Sequence, residues 1–329
     1  MPTEELVDQI VRLAFEQAAP EIKTIVVHWW PDDDALLCLW TAKKFIPKAA
    51  NARIVFVNAG ESLPGSEGDP SVIHFDTGGG EYDQHGKGIR NTSSAAILAE
   101  KLGLTDNGLK PLIELATAVD NIKPMPPTSI HFIIKGYPRM FKKPDGTTDW
   151  LIVQERIFEL FDIIYNQETA RGRSRNDFRK HAERIILPNG INIAILLWHP
   201  ECREEAFNQG AAVVIWTQSR GPHKFYTGIQ RNRMCPDLWL DRVAVALRFA
   251  EAQARGLDVR GKNLTYLGRG EPVPVWYLHD SLRLILNGSR SWKLSEDEYT
   301  KLQPRQIVGL VSQALAAITP EVVSGWNNK

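Results

Sequence analysis

Residues 23–45 read KTIVVHWWPDDDALLCLWTAKKF, and this stretch decides the fold. Lys23 to His28 is a short β-branched run that stops at Trp29-Trp30-Pro31, the pattern of a buried strand ending in a loop. Three carboxylates follow at once. From Ala35 to Phe45 the apolar residues return with helical spacing, so Asp33 or Asp34 stands where a helix N-cap is expected. The segment is therefore strand, loop and helix, with one imidazole and three acids in the turn. Acids buried without partners are costly, so these are either solvated on the surface, one of them capping the helix, or neutralised by a cation.

Further along, residues 53–57 (RIVFV) and 72–75 (VIHF) are two more short apolar strands, each closed by a Gly-containing segment. Helical spacing predicts helices over 93–104 and 109–120. Strands alternating with helices imply a mostly parallel sheet, in which ligands sit beyond the carboxyl ends of the strands. His28, Asp32 and Asp76 fall there.

From Pro124 the chain turns irregular (KPMPPTS, then GYPRMFKKPDGTTDW), which marks the end of a first domain. A helical stretch over 150–186 follows and carries the cationic run RGRSRNDFRKHAER. Strands are then expected at 191–198, 211–216, 224–230 and near 273–278, with a helix at 238–255. The predicted fold class is α/β: an N-terminal, mostly parallel sheet flanked by helices, and a smaller mixed α/β C-terminal domain. The expected boundaries are 1–135 for the first domain, 136–188 for a helical connector and 189–329 for the second.

Composition narrows the function classes. At 329 residues, 43% hydrophobic and 24% charged, the chain has room for two domains with sizeable cores. Basic and acidic residues number 39 each, so net charge argues neither for nor against a polyanion partner, and local clustering must decide. The three cysteines, Cys38, Cys202 and Cys235, form no CxxC pair and read as reduced and structural. No apolar run approaches the roughly 20 residues of a membrane span, and residues 1–21 read as an acidic amphipathic helix rather than a signal peptide. The expected location is the cytoplasm, with no membrane partner.

Other acids and histidines recur at successive turns. Asp76 ends a strand in FDTGGG, Tyr82-Asp83-Gln84-His85-Gly86 follows closely, and Asp120 ends a helix in ATAVDN. Each alone is ordinary turn or cap chemistry. Together, four acid or histidine clusters project to one edge of the same sheet, which is how oxygen- and nitrogen-rich sites for paired Mn2+ or Mg2+ are built. Lys87 and Arg90 precede a helix that Asn91, Thr92 or Ser93 could cap, a place suited to an anion or simply a solvated loop.

The sequence HWWPDDDA fits the pattern HxxPDxDA, and it is followed by an Asp ending a later strand, a D-x-H segment and an Asp on a further helix. In this it resembles the DHH phosphoesterase superfamily. DTGGGEYDQHGKG followed by SSAAILAEKLG is similar to the Myg-type exonuclease branch, and the likeness covers roughly residues 24–121. It implies that His28 and Asp32 bind one metal, Asp34 and Asp120 a second, and that Asp76 bridges them. The chain departs from the family at the name-giving triplet, where Gln84 replaces the first histidine. Either His85 takes that metal role, or His74 substitutes, or the second site is lost. His85 is equally read as a catalytic group on the scissile phosphate, with Asp83 orienting it. The cofactor implied is two divalent cations, Mn2+ first and Mg2+ or Co2+ after it, and their chemistry would be phosphoester hydrolysis.

In the second domain, Trp276-Tyr-Leu-His279-Asp280-Ser281 and the later Gly288-Ser289-Arg290 resemble a degenerate form of the branch's substrate-binding segment; the plain alternative is a strand end and a turn. His279, Ser281 and Arg290 are thus candidate substrate ligands. Arg231 and Arg233 in QRNR join them, because with Lys224, Phe225 and Tyr226 they interleave cations and aromatics as single-strand binders do. The expected function is a metal-dependent phosphodiesterase acting on nucleic acid, as a single-strand exonuclease. The alternatives are hydrolysis of a cyclic dinucleotide, short oligonucleotide or pyrophosphate, and a catalytically silent binding protein of the same fold. The partner is a nucleic acid or nucleotide, and a homodimer is allowed for.

Overall fold

The structure is a computed structural model that describes residues 21–85, 89–289 and 291–318. The amphipathic N-terminal segment, Lys87 and Arg290 lie outside the described residues. Internal contacts divide the chain after Gly172 into two units, and the long helix Trp150–His181 runs across that point.

The first unit begins with β1 (Thr24–His28) and α1 (Asp33–Phe45), then β2 (Arg53–Val57) and β3 (Val72–His74). Four helices follow: α2 (Ser94–Lys101), α3 (Lys110–Asp120), α4 (Ile130–Met140) and α5 (Trp150–His181). The sheet has the order β2-β1-β3 and both pairings are parallel, with Ile25 opposite Ile54 on one side and Ile73 on the other. Ile25, Val26 and Val27 in the central strand are all completely buried, as expected of a parallel strand covered on both faces. Helix α1 is buried from Asp33 through Ala42 and packs against α2 and α3, which makes it the central helix of this unit.

The second unit is built on a six-stranded mixed sheet of order β4-β5-β6-β7-β9-β8. Its strands are β4 (Glu183–Ile186), β5 (Asn192–Leu196), β6 (Val213–Gly221), β7 (Lys224–Arg231), β8 (Tyr277–Leu278) and β9 (Leu284–Asn287). Only β5 and β6 pair in parallel. Its helices are α6 (Arg203–Asn208), α7 (Asp241–Ala254) and α8 (Pro304–Ala316). Strand alternation divides the apolar residues between two cores. Ile193, Ile195, Val213, Ile215, Ile229 and Ile285 face the residues of α7 and α8, while Ala194, Leu196, Val214 and Trp216 face Ala206 and Phe178. The chain is thus an α/β protein with a parallel three-stranded sheet and a separate mixed sheet. Among the described residues no helix is long and apolar enough to cross a membrane.

Several sequence expectations need correction. The N-cap of α1 is Asp32, not Asp33 or Asp34, and its carboxylate accepts from the Asp34 and Ala35 amides at 3.0 and 3.2 Å. The segment after Pro124 contains α4, despite Gly136 and Pro138. Burial of Ile134 and Pro138, one turn apart, outweighs the poor intrinsic propensity. The expected helix over 150–186 stops at His181, and its last four residues are the edge strand β4. An additional strand, β9, ends just before the candidate segment that starts at Gly288, and the strand near 273–278 shrinks to Tyr277–Leu278.

One fully buried cation, Arg248 on α7, organises the loop before β8. Its guanidinium donates to the carbonyls of Leu264, Tyr266, Gly268 and Trp276 and so satisfies a segment that has almost no secondary structure of its own. Gly228 on β7 is required for a different reason, since a Cβ there would overlap the indole of Trp216 on β6. Gly228→Ala is therefore expected to destabilise the chain by about 1–3 kcal/mol through overpacking, read as a lower denaturation midpoint. An unchanged midpoint would show that the indole relaxes freely.

Candidate metal centre

At the carboxyl end of β1, the His28 ring is fixed at both nitrogens. Nδ1 lies 2.9 Å from the Trp29 carbonyl, which can only accept, so Nδ1 carries the proton. Nε2 is left facing Asp76 Oδ2 at 3.2 Å. A backbone carbonyl holding Nδ1–H while Nε2 faces an acid is the arrangement that orients metal-binding imidazoles. Asp76 follows β3 with φ of 53°, a left-handed conformation that Asp tolerates better than most residues, and Gly78 and Gly79 continue the turn at positive φ. At Gly78 a Cβ would also meet the Ser62 hydroxyl at 2.7 Å. Trp30, with φ of 57°, is the more strained position, because a bulky residue rarely adopts that conformation.

His28, Asp32 and Asp76 each offer a ligand atom, and the three atoms all lie within 4.8 Å of one another. Asp32 is the exposed member and Asp76 the buried one. One imidazole nitrogen with carboxylate oxygens suits a hard or borderline divalent cation, so the residues fit the metal that the sequence implied.

The other expected ligands are placed around this group. Asp34 is buried, and its two oxygens accept the Ser94 and Ala95 amides, at 2.7 and 2.9 Å, at the N-terminus of α2. Asp120 ends α3, with Oδ2 receiving the Gln84 amide at 3.1 Å. Gln84 itself is buried. Its Nε2 donates to Asp120 and reaches Asp76 Oδ1 at 3.4 Å, while its Oε1 accepts from the Ser94 hydroxyl. The amide thus joins Asp76 to Asp120 where a metal-ligating histidine was expected. His85 is mostly exposed, with Nε2 at 3.3 Å from Asp76 and 3.6 Å from Asp120. Asp83 does not touch the His85 ring. Its oxygens accept the backbone amides of Gly79 and His85 and set the turn. His74 is turned away from the group, with Nε2 accepting the Leu63 amide at 3.0 Å.

Burial and neighbouring charge shift these groups together. His28 is raised from 6.5 to about 9, chiefly by its hydrogen bond to Asp76. Burial pushes the Asp34 carboxyl well above its usual range and raises Asp120 as well. Sequence reading missed one partner, His131 on α4, whose Nδ1 lies 2.8 Å from Asp33 Oδ2. Nothing in the sequence signals a contact across that separation. Trp29 stacks on Phe56 with centroids 5.1 Å apart, and Trp30 meets Trp150 edge-on, so both rings are anchored while about half exposed.

Of the substrate residues expected in the second unit, the described side-chain candidates Arg231, Arg233, His279 and Ser281 lie toward one end of the sheet. The register of β7 with β9 puts Arg231, His279 and Ser281 at one end of the sheet and Gly288 and Ser289 at the other. His279 Nδ1 is bonded within its own turn to Ser281. Phe225 and Tyr226 are core residues and present no stacking platform. In the cationic run, Arg171 pairs with Glu168 and Arg175 with Glu205, while Arg173, Arg179 and Lys180 are exposed.

No protein-family model and no curated protein matches this chain. Among solved structures it aligns with one described as the DHH domain of a member of the s1p family of ribosomal proteins. The identity is 11%, over 96% of this chain and 92% of that one, with a TM-score of 0.32. So loose a superposition carries no weight for function.

The shifted groups give the metal-free chain a pH dependence of defined sign. A pKa raised from 6.5 to about 9 means that the His28 contribution to stability is fully present below pH 6.5 and is lost as pH rises through about 9. The raised acids act in the same sense, because burying them ionised opposes folding. In chelator the thermal midpoint is expected to fall between pH 6.5 and 9, and Mn2+ is expected to flatten the curve. A midpoint rising over that window in chelator would contradict the His28–Asp76 pairing.

Proposed function

We propose that the first unit carries a divalent-cation-dependent phosphoesterase centre of the DHH type, with His28, Asp32 and Asp76 as the principal ligands. The observation that supports this reading is the convergence of those three groups at adjacent strand ends, with His28 pre-oriented by the Trp29 carbonyl. The family resemblance would add Asp34 and Asp120 as further ligands, and both feel the charge of Asp76. When bound, the cation would lower the pKa of a coordinated water and neutralise charge on the phosphoryl oxygens.

The chain's own residues supply the rest. Asp76 lies between His28 on one side and the Gln84 amide, the Ser94 hydroxyl and His85 on the other. Asp83 holds the turn that presents His85, which makes Asp83 a positioning residue. Because His85 is exposed beside Asp76 and Asp120, it is placed to donate to a phosphate oxygen or to a leaving group. Gln84, a neutral donor, ties Asp76 to Asp120 and reduces their need for a second cation. One strongly held cation is therefore the first expectation and the second is weakened. The substrate proposed is a phosphodiester of single-stranded nucleic acid cut from an end, ahead of a short oligonucleotide, a cyclic dinucleotide or pyrophosphate.

The same Gln84 bond supports a second reading, a protein that keeps the fold and a cation but does not turn substrate over. Both are tested by adding Mn2+ to metal-free protein and following a panel of labelled single-stranded DNA, RNA, dinucleotides and pyrophosphate. Mn2+-dependent cleavage is expected. Asp76→Ala is expected to lower it by more than about 100-fold, since even groups that only orient a ligand are worth 10–100-fold. Gln84→His is expected to raise Mn2+ stoichiometry and turnover. Binding of Mn2+ with no turnover on any substrate would establish the silent reading, and no Mn2+ binding at all would remove the centre.

A further inference from the structure

We propose a second ligand site, wholly within the second unit: the cavity at the end of β7 takes a phosphate group carried by a nucleotide or a nucleic acid strand. The cavity has a volume of about 740 Å³ and is lined by Arg203, Arg231, Arg233 and Arg283, with Glu204 the sole carboxylate among its lining residues. That size lies within the range of small-molecule sites and exceeds what a bare phosphate needs.

Arg231 gives the site its chemistry. The residue is 2% exposed, and its Nη1 donates to the carbonyls of Asn232 and Cys235. Its Nε and Nη2, buried, have no acceptor among the described residues. These two N–H groups lie along one edge of the planar guanidinium and point in parallel, the geometry that grips two oxygens of a phosphate or carboxylate at once. Arginine does not escape burial by losing its proton; Asp237 acts on it through charge alone, and the two donors left without an acceptor suit an anion. Arg283 adds like charge, its carbonyl bonded to the Arg231 amide, and among the described residues Arg231, Arg233 and Arg283 make no ion pair with a carboxylate. Several guanidinium groups around one acceptor favour a dianionic phosphate over a single carboxylate. Asn232 is not a ligand, because its side chain is spent on the Phe207 and Ala211 carbonyls and on the Met234 amide.

The indole of Trp239 lies over the Arg231 guanidinium at 5.3 Å and is 44% exposed. Since the Nε and Nη2 edge is shut off from solvent, uptake of an anion requires the Arg231 head group to turn toward the cavity. The site owes nothing to the metal centre.

The test uses the full chain in chelator, so that binding is read without turnover. Inorganic phosphate, a nucleoside 5′-monophosphate, and a short single strand with and without a terminal phosphate are titrated by calorimetry, for the wild type, Arg231→Met, and the double variant Arg233→Ala with Arg283→Ala. Binding of at least one probe is expected, with affinity lowered at least about tenfold in either variant, about 1.4 kcal/mol per tenfold. Arg231→Met removes an unmatched buried charge, so its thermal midpoint is expected to stay at or above that of the wild type, which separates loss of the site from loss of the fold. Strand binding independent of the terminal phosphate assigns the backbone as the source, and a requirement for the monophosphate assigns a free nucleotide or strand end. No binding of any probe at millimolar concentration, or affinity unchanged in both variants, overturns the site while leaving the metal centre untouched.

Discussion

Five aspartates, Asp32, Asp33, Asp34, Asp76 and Asp120, converge on one edge of a three-stranded sheet, and the mutual repulsion of their charges is the constraint that the rest of the first unit answers. Each acid has a different partner. Asp32 accepts the amides of its own helix N-terminus, Asp34 the first amides of α2, Asp33 the ring of His131, Asp76 the ring of His28, and Asp120 the amide of Gln84. Helix N-termini carry partial positive charge and unused donors, so two of the five acids are matched by backbone alone. This requires α1 and α2 to start at the same sheet edge, which the parallel order β2-β1-β3 and the packing of α1 on α2 provide.

The centre that results is only partly compensated by the protein, since Asp33 Oδ1 is buried without a partner and Asp34 and Asp120 are held above their usual range, and a cation suits its donors. His28 is raised because its proton stands where positive charge is wanted, between Asp76 and the rest of the site. The Gln84 amide does the corresponding service for Asp120. As a neutral donor it keeps both acids bonded without adding charge. Asp34 likewise has both oxygens on backbone amides.

The second unit shows the opposite imbalance. Arg248 is buried too, but four carbonyls surround its guanidinium, and it serves as a structural cation for the loop that leads to β8. Arg231 has carbonyls at Nη1 alone. Two buried arginines in one small domain thus differ in whether their donors are matched, and that difference, rather than the number of cations, distinguishes scaffold from site.

The local pattern around residues 23–45 determined the strand, the turn and the helix, because a buried β-branched run and helical apolar spacing are short-range signals. Together with the strand that ends before Asp76, it led to the expectation that His28, Asp32 and Asp76 share one edge, and the parallel pairing of β1 with β3 brings them there. It could not reveal α4, where Ile134 and Pro138 gain from packing what Gly136 and Pro138 lose in propensity. Nor could it reveal which acid meets which partner. The Asp33–His131 contact, the use of Asp34 by α2, and the turn of His74 toward Leu63 depend on how helices and loops pack across tens of residues. Arg231 makes the same point. Its sequence context of cations and aromatics suggested an exposed strand-binding surface, and packing instead buried the aromatics in the core and left one edge of a guanidinium without a partner. Periodicity reports which face of an element is buried, whereas hydrogen-bond partners are settled only when those faces meet.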